Sequence, residues 1–267
     1  GSDPTLIQTT AVEDGDDWVI NGHKWFTSGA RGASFAIVIA RTDPDAEIPQ
    51  ARNSAFIVDC DSPGFEIVRD IETMSGSHNH CEILYNDVRV SKANLLGERG
   101  GGHKLGQVRL GPARLAHCMR WLGEIEMALE MLIDRAQQRF AHGSLLSEKQ
   151  SIQWMMSDSA MELYASKLMV LHAAYKIENG MEFKQEVSMA KHHVANTLWK
   201  VCDRAVQVHG ALGYSKDSPL SAMLLQARWA RLADGADEVH QMRIADLLMR
   251  AYNDTGSVNA GVGGLPL

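Results

Sequence analysis

Val187-Ser188-Met189-Ala190-Lys191-His192-His193-Val194-Ala195-Asn196-Thr197-Leu198-Trp199-Lys200-Val201-Cys202-Asp203-Arg204-Ala205-Val206-Gln207-Val208 carries its apolar residues at steps of three and four. Val187, Ala190, Val194, Leu198, Val201, Ala205 and Val208 therefore line one face of an α-helix. A stripe that long must be buried against other helices. Upstream, Met156, Ala160, Leu163, Val170 and Ala174 form a second such face, closed by Glu178-Asn179-Gly180. His209-Gly210-Ala211-Leu212-Gly213 closes the quoted helix, with glycine where a left-handed cap is wanted. Leu224, Leu225, Ala227 and Trp229 read as the end of a further helix, and Val239, Met242, Ile244, Ala245, Leu248 and Met249 as the start of another. Helices joined by short connections predict a four-helix-type bundle.

Ahead of Gly100-Gly101-Gly102 the pattern is strand-like. Asp17-Trp18-Val19-Ile20 runs into Asn21-Gly22, the strongest short hairpin signal, with Lys24-Trp25-Phe26-Thr27 as the returning strand. Residues 34–40, 55–58, 64–68 and 81–85 read as further strands, and Asn86-Asp87 turns into Val88-Arg89-Val90. Residues 42–53 are polar, contain two prolines and read as a surface loop. Regular spacing of this kind predicts a small antiparallel barrel or sandwich. The fold class is α+β: a β domain over 1–100, a helical domain over 101–252 and a Gly-rich tail over 253–267, loose or held by a partner. The triple glycine reads as a hinge or linker, because it lacks the strand, helix and later acid of a dinucleotide loop.

Composition narrows the function. A net charge of −7 across 267 residues argues against nucleic acid as a partner, and no apolar run is long enough for a membrane span. Cys60, Cys81, Cys118 and Cys202 lie far apart without CxxC spacing and read as free thiols in a reducing compartment. His78 and His80 would share a strand face, and His192 and His193 are adjacent; no third ligand stands at metal spacing, so no metal is expected.

Three carboxylates crowd a glycine break in Arg231-Leu232-Ala233-Asp234-Gly235-Ala236-Asp237-Glu238-Val239-His240. An acid lifted out of the helices there can lose hydration and become a stronger base toward a carbon acid. Acids in the first turn of the next helix would also satisfy its dipole. Asp237 and Glu238 fit that second reading well, Asp234 less well. Trp25-Phe26-Thr27-Ser28-Gly29 can cover a flat ring or simply end a strand. Arg139, His142 and Gln150 flank a helix corner where they can hold phosphate oxygens or merely face water. Gln207 and Gly210 can admit a ligand close to backbone or serve as a C-cap.

The order of these segments resembles the middle and C-terminal domains of the acyl-CoA dehydrogenase flavoprotein superfamily. Gly1-Ser2-Asp3 resembles the end of the family's TEPxxGSD segment, and Asn21 to Gly29 its NGxKxWITN segment. Arg139 to Gln150 is similar to ERKTFGKxLxxxQ, and Ala205 to Tyr214 to AVQxxGGxGY. The resemblance implies FAD as cofactor, with Phe26, Thr27 and Ser28 at the flavin edge. It implies Arg139 at the pyrophosphate, His142 and Gln150 beside it, and Gln207 and Gly210 at the adenosine end. Ser2 would lie near the acyl-CoA. Where the family carries YEGTSEIQ with a glutamate base, this chain has Asp234-Gly235, one methylene shorter, with Glu238 in the position of a glutamine or glutamate. Leu110-Gly111-Pro112-Ala113-Arg114 beside Leu-Ala-Asp-Gly resembles the aspartate-base subfamily, whose larger members are fused to a phosphotransferase-like domain. That match implies Arg114 near the base and Gly235 at the substrate.

The implied reaction is α,β-dehydrogenation of a fatty acyl-CoA. Its carbonyl would be polarised by the Asp234 amide and by the flavin, Asp234 would take the α-proton, and the hydride would pass to the flavin. An electron-transfer flavoprotein or similar acceptor, and assembly as a homo-dimer or tetramer, are implied partners. The location implied is the cytoplasm in a bacterium and the mitochondrion or peroxisome in a eukaryote. A flavin oxidase (nitroalkane or acyl-CoA oxidase-like), a DNA-associated relative and a non-catalytic assembly module remain alternatives; peroxide production, DNA binding and an acyl-CoA assay separate them. Members of the family begin with a further helical domain that walls the substrate pocket, and this sequence does not include it. The 267-residue polypeptide alone is therefore expected to bind FAD weakly and to show little activity. Its visible absorbance after purification tests this: stoichiometric flavin bands would contradict the expectation.

Overall fold

The computed structural model describes residues 2–76 and 80–262, without the side chain of Ala260. The chain forms two compact units, Gly1–Arg109 and Leu110–Leu267, each described by itself. His78 lies outside the described residues.

The first unit is built on one sheet of seven strands among the described residues. They are β1 (Thr10–Asp14), β2 (Asp17–Ser28), β3 (Phe35–Arg41), β4 (Asn53–Asp59), β5 (Phe65–Asp70), β6 (His80–Ser91) and β7 (Leu95–Leu96). Their order is β5-β6-β2-β1-β3-β4-β7. All pairings are antiparallel except the single parallel bridge Thr10–Arg41 between β1 and β3. Trp18, Ile20, Val38, Phe56, Val58, Ile83 and Val88 are buried in its core, with Trp18 edge-on to Phe56 at 5.3 Å.

Asn21-Gly22 is not a hairpin turn. Strand β2 runs straight through it, and the tight turn lies earlier, at Gly15-Asp16 between the paired Asp14 and Asp17. Ile20 pairs with Val88 and Gly22 with Tyr85, so Asn86 and Asp87 together oppose Asn21 in a β-bulge. Asn86-Asp87 is therefore part of this bulge and not a turn either. Asn21 clips it in both directions, donating to Asp87 Oδ1 and accepting from the Asp87 amide, each at 2.9 Å. Gly22 is required by crowding: a Cβ there would lie 2.6 Å from Thr9 Cα. A second bulge follows. Lys24 pairs with Ile83 and Thr27 with Cys81, leaving Trp25 and Phe26 opposite Glu82 alone. The surplus residue breaks the alternation, and both rings are exposed.

The triple glycine is packed, not a free linker. A Cβ on Gly100 would meet Ala51 O at 2.7 Å, and one on Gly102 the Ser54 carbonyl carbon at 2.7 Å. The Gly100 amide donates to Ser54 Oγ at 2.8 Å, and Gly102 already opens the first long helix.

That helix, α1 (Gly102–Gln138), is followed by a small hairpin of β8 (Phe140–Ala141) and β9 (Ser144–Leu145). Then come α2 (Gln150–Glu178), α3 (Lys184–His209), α4 (Ala211–Tyr214), α5 (Leu220–Ala230) and α6 (Asp237–Thr255). The α3 stripe is buried as its spacing predicts, against Trp121, Ile125 and Leu132 of α1, Val170 of α2 and Ala227 of α5. The tail is more structured than expected as far as it is described. Residues 253–255 belong to α6, a 3₁₀ turn (Val258–Gly261) follows, and Gln185 donates to the Gly261 carbonyl.

Replacing Gly22 by alanine is expected to destabilise the protein by about 2 kcal/mol, since Thr9 and the strand backbone would have to shift. Denaturant unfolding of the variant against the parent checks this.

Candidate active site

Helix α5 ends at Ala230 and α6 begins at Asp237, which lifts residues 231–236 into a loop. Asp234 sits there at φ +51°, a left-handed conformation that aspartate tolerates better than most residues. Gly235 follows at φ +112°, where a Cβ would come within 2.8 Å of His240 Nε2. Two cations grip the loop by its backbone. Arg114 of α1 donates from Nε to the Asp234 carbonyl at 2.8 Å, and Lys191 of α3 donates to the Gly235 carbonyl at 2.6 Å. His240 Nε2 approaches the Asp234 carbonyl at 3.4 Å.

Burial sets the electrostatics of this core. It lowers the Arg114 guanidinium below its ordinary value and brings the Lys191 ammonium down to about 8. It also brings the His240 imidazole down to about 4, with the charges of Lys191 and Arg114 adding to the effect. Asp237 is buried as well, which pushes its carboxyl up. Hydrogen bonds from Arg231 (2.7 Å) and Asn196 (3.1 Å) outweigh that and leave it below the ordinary range. Asp237 and Glu238 occupy the first turn of α6, Asp237 buried and Glu238 exposed.

The Asp234 carboxylate faces a histidine. His117 Nε2 lies 3.1 Å from Asp234 Oδ2, while Arg114 and Lys191 hold the backbone carbonyls. Oδ2 itself is buried and meets no donor with full hydrogen-bond alignment among the described residues. The Asp234 and Gly235 amides likewise donate to no protein acceptor among the described residues. The loop thus presents a half-buried carboxylate beside free amide donors, an arrangement that can accept a proton and polarise a carbonyl.

A second cluster lines a cleft of about 320 Å³ in the same unit. Arg135, Arg139, Gln207 and Gly210 line it, whereas His142 and Gln150 lie outside its lining. Arg135 Nε is buried without a hydrogen-bond partner among the described residues, a donor left for an acceptor from outside. Gly210 adopts φ +63°, ψ −136°, a backbone region essentially reserved for glycine, and the space beyond its Cα is open. Two guanidiniums and an approachable backbone fit the pyrophosphate and adenosine of a dinucleotide. His142 and Gly143, both at positive φ, form the two-residue turn of the β8–β9 hairpin, and the His142 carbonyl accepts from Lys149 at 3.0 Å. Gln150 is the exposed first residue of α2.

In the first unit, the second bulge carries Phe26, Thr27 and Ser28. Phe26 stacks on His80 at 4.2 Å, and Ser28 Oγ lies 2.8 Å from His80 Nδ1, so one imidazole ties ring and hydroxyl together. Thr27 pairs with Cys81 and is half-buried. Ser2 is exposed ahead of the 3₁₀ turn that Asp3 caps.

Comparison with known proteins decides the family. The pattern described as "Acyl-CoA dehydrogenase, C-terminal domain" matches residues 100–249, and "Acyl-CoA dehydrogenase, middle domain" matches residues 1–88. The chain belongs to the acyl-CoA dehydrogenase family. A Mycobacterium tuberculosis protein named "Probable acyl-CoA dehydrogenase FadE2" is 42% identical over 250 residues, covering 91% of this chain and 61% of that relative. The solved acyl-CoA dehydrogenase of Geobacillus kaustophilus is 30% identical at a TM-score of 0.88, covering 92% of this chain and 65% of that one. Butyryl-CoA dehydrogenase from Megasphaera elsdenii is 30% identical at a TM-score of 0.86, covering 94% and 65%. The chain thus spans less than two thirds of the length of these acyl-CoA dehydrogenase relatives.

Sequence reasoning missed His117, Lys191 and His240 in this family member. A signal existed for each. His117 stands one helical turn from Arg114, and Lys191 and His240 are polar residues at positions where the helical spacing calls for apolar ones.

His240 gives the site a pH signature. Below about 6.5 the unfolded chain takes up a proton that the folded imidazole refuses until about 4. Stability should therefore fall by about 3 kcal/mol as pH drops through that window. Thermal unfolding of the parent and His240→Asn between these limits checks this, with a shallower loss expected in the variant.

Proposed function

We propose that the protein of which this chain forms part catalyses FAD-dependent α,β-dehydrogenation of a fatty acyl-CoA, with Asp234 as the base. The observation that carries this reading is Asp234 itself: left-handed, half-buried, and held through its own and the next carbonyl by Arg114 and Lys191. A surface acid in a helix first turn needs no such anchoring.

When bound, FAD supplies the acceptor for the hydride lost from the β-carbon. Arg135, Arg139, Gln207 and Gly210 would hold its phosphate and adenosine portions, with His142, Gln150 and Glu238 further contributors. Phe26, Thr27 and Ser28 would meet the flavin ring. Ser2, Arg114 and Gly235 belong to the substrate side. The free Asp234 amide polarises the thioester carbonyl, worth about 3 kcal/mol of α-C–H acidification for one well-placed donor. The Asp234 carboxylate then takes the α-proton. A loop held by Arg114 and the buried Lys191 keeps water from reorganising around the base.

Self-association belongs to the same reading. Helix α2 exposes Trp154, Met161, Tyr164, Leu168, Leu171 and Tyr175, a seam at steps of seven, three and four that suits a second helical surface. An electron-transfer flavoprotein would be the partner that reoxidises the enzyme.

Asp234→Asn in the full-length protein is expected to lower kcat by about 10²–10⁴-fold while leaving flavin content unchanged. Acyl-CoA oxidation with an artificial electron acceptor measures it. Parental turnover in that variant would sink the assignment.

A further inference from the structure

The base is not alone in its pocket. His117 approaches Asp234 Oδ2 at 3.1 Å, and both side chains are mostly buried, 16% and 20% exposed. Its imidazole is held in an aromatic slot, stacked on Trp121 at 5.3 Å and edge-on to Trp229 at 5.7 Å. Lys191 Nζ lies over the Trp121 ring, 6.0 Å from its centroid, so the slot and the loop anchor share a residue.

The contact with Arg120 favours one tautomer of His117. Arg120, one turn along α1, contacts Nδ1 through its guanidinium. A guanidinium can only donate, so in this contact Nδ1 is the unprotonated acceptor and the neutral ring carries its hydrogen on Nε2. That hydrogen is on the side of Asp234. Arg114, one turn in the other direction, is engaged with the Asp234 backbone carbonyl through Nε.

An aspartate base needs such a partner. Rotation of its carboxylate about the last side-chain bond is broad and two-fold, so the backbone anchors alone leave the plane of the oxygens unfixed. A cation against the carboxylate would fix the plane but depress its basicity strongly. A neutral N–H donor fixes the plane at a smaller cost in basicity. The 3.1 Å contact is not yet aligned as a hydrogen bond, and catalytic contacts commonly tighten only when substrate binds.

We propose that His117 is the positioning residue of the base. In the tautomer set by Arg120, its Nε2–H holds Asp234 Oδ2 and leaves Oδ1 to receive the substrate proton. This rests on the reading of Asp234 as base, and its test separates the two.

The test uses the full-length flavin-loaded enzyme with butyryl-, octanoyl- and palmitoyl-CoA, taking whichever the parent oxidises fastest. His117→Leu is expected to lower kcat by about 10–100-fold, the range for a misplaced reacting group, with KM little changed. The primary isotope effect on α-deuterated substrate should rise, because proton abstraction becomes slower relative to the other steps. His117→Gln, whose amide can still donate from the Nε2 position, should recover most of the loss. If Asp234→Asn is inactive while His117→Leu turns over like the parent, the positioning role is wrong and the base stands. If Asp234→Asn remains active, both fall. A kcat loss in His117→Leu that tracks a lowered unfolding temperature, with no recovery in His117→Gln, would make His117 a packing residue and overturn the proposal. Should His117→Leu not fold, Arg120→Met on the exposed face replaces it: a several-fold drop in kcat is expected, and an unchanged kcat refutes the tautomer argument.

Discussion

Two cations bonded to two successive carbonyls, half-buried Arg114 on Asp234 and fully buried Lys191 on Gly235, are the constraint on which the candidate site depends. A fully buried ammonium is costly without oxygen acceptors, so Lys191 needs the loop as much as the loop needs Lys191. This mutual requirement explains why a non-glycine residue persists at positive φ: a strained backbone survives where its surroundings over-determine it. Gly235 follows from the same crowding, since His240 occupies the space that any side chain there would need. The neighbouring ion pair of Arg231 with Asp237 then fixes where α6 starts, and with it the length of the loop.

The sheet solves a related problem by different means. A regular strand presents alternate residues to alternate faces, which would bury one of Trp25 and Phe26. One surplus residue in β2 places both rings outward, while Glu82, the residue opposite, is held by His23 at 2.8 Å and Arg69 at 2.6 Å. The earlier bulge carries its surplus residue on β6 instead, so between the flanking pairs the register of the two long strands is restored. Irregularity is thus confined to short stretches, and Thr27 and Ser28 re-enter the ladder opposite Cys81 and His80.

Most of the bundle was legible because helical periodicity is a direct consequence of burial, and α3 buries the residues its spacing nominates. Asn21-Gly22 misled for a physical reason: the dipeptide marks a backbone irregularity, and local sequence does not distinguish a chain reversal from a bulge. The triple glycine misled in the opposite sense, because freedom of conformation and closeness of approach call for the same residue. His117 carried only an indirect signal, its place one helical turn from Arg114. Its significance depends on a loop more than a hundred residues later in the chain, joined to its helix through Arg114. Lys191 was visible as a lysine on an apolar face, yet only the position of the Gly235 carbonyl gives it a task.

On the proposed reading, a base carried by an aspartate, one methylene shorter than glutamate, has a structural corollary. A shorter side chain has fewer torsions to fix but less reach, so its backbone must be brought closer and held harder. Anchoring both carbonyls supplies that hold without touching the carboxylate, which keeps the Arg114 and Lys191 charges on the backbone and off the carboxylate oxygens. Orientation of the oxygens then falls to a weaker donor, and the imidazole between Trp121 and Trp229 is the donor at the right distance. Position and basicity are in this way assigned to different residues, the cations to the first and the neutral histidine to the compromise between the two.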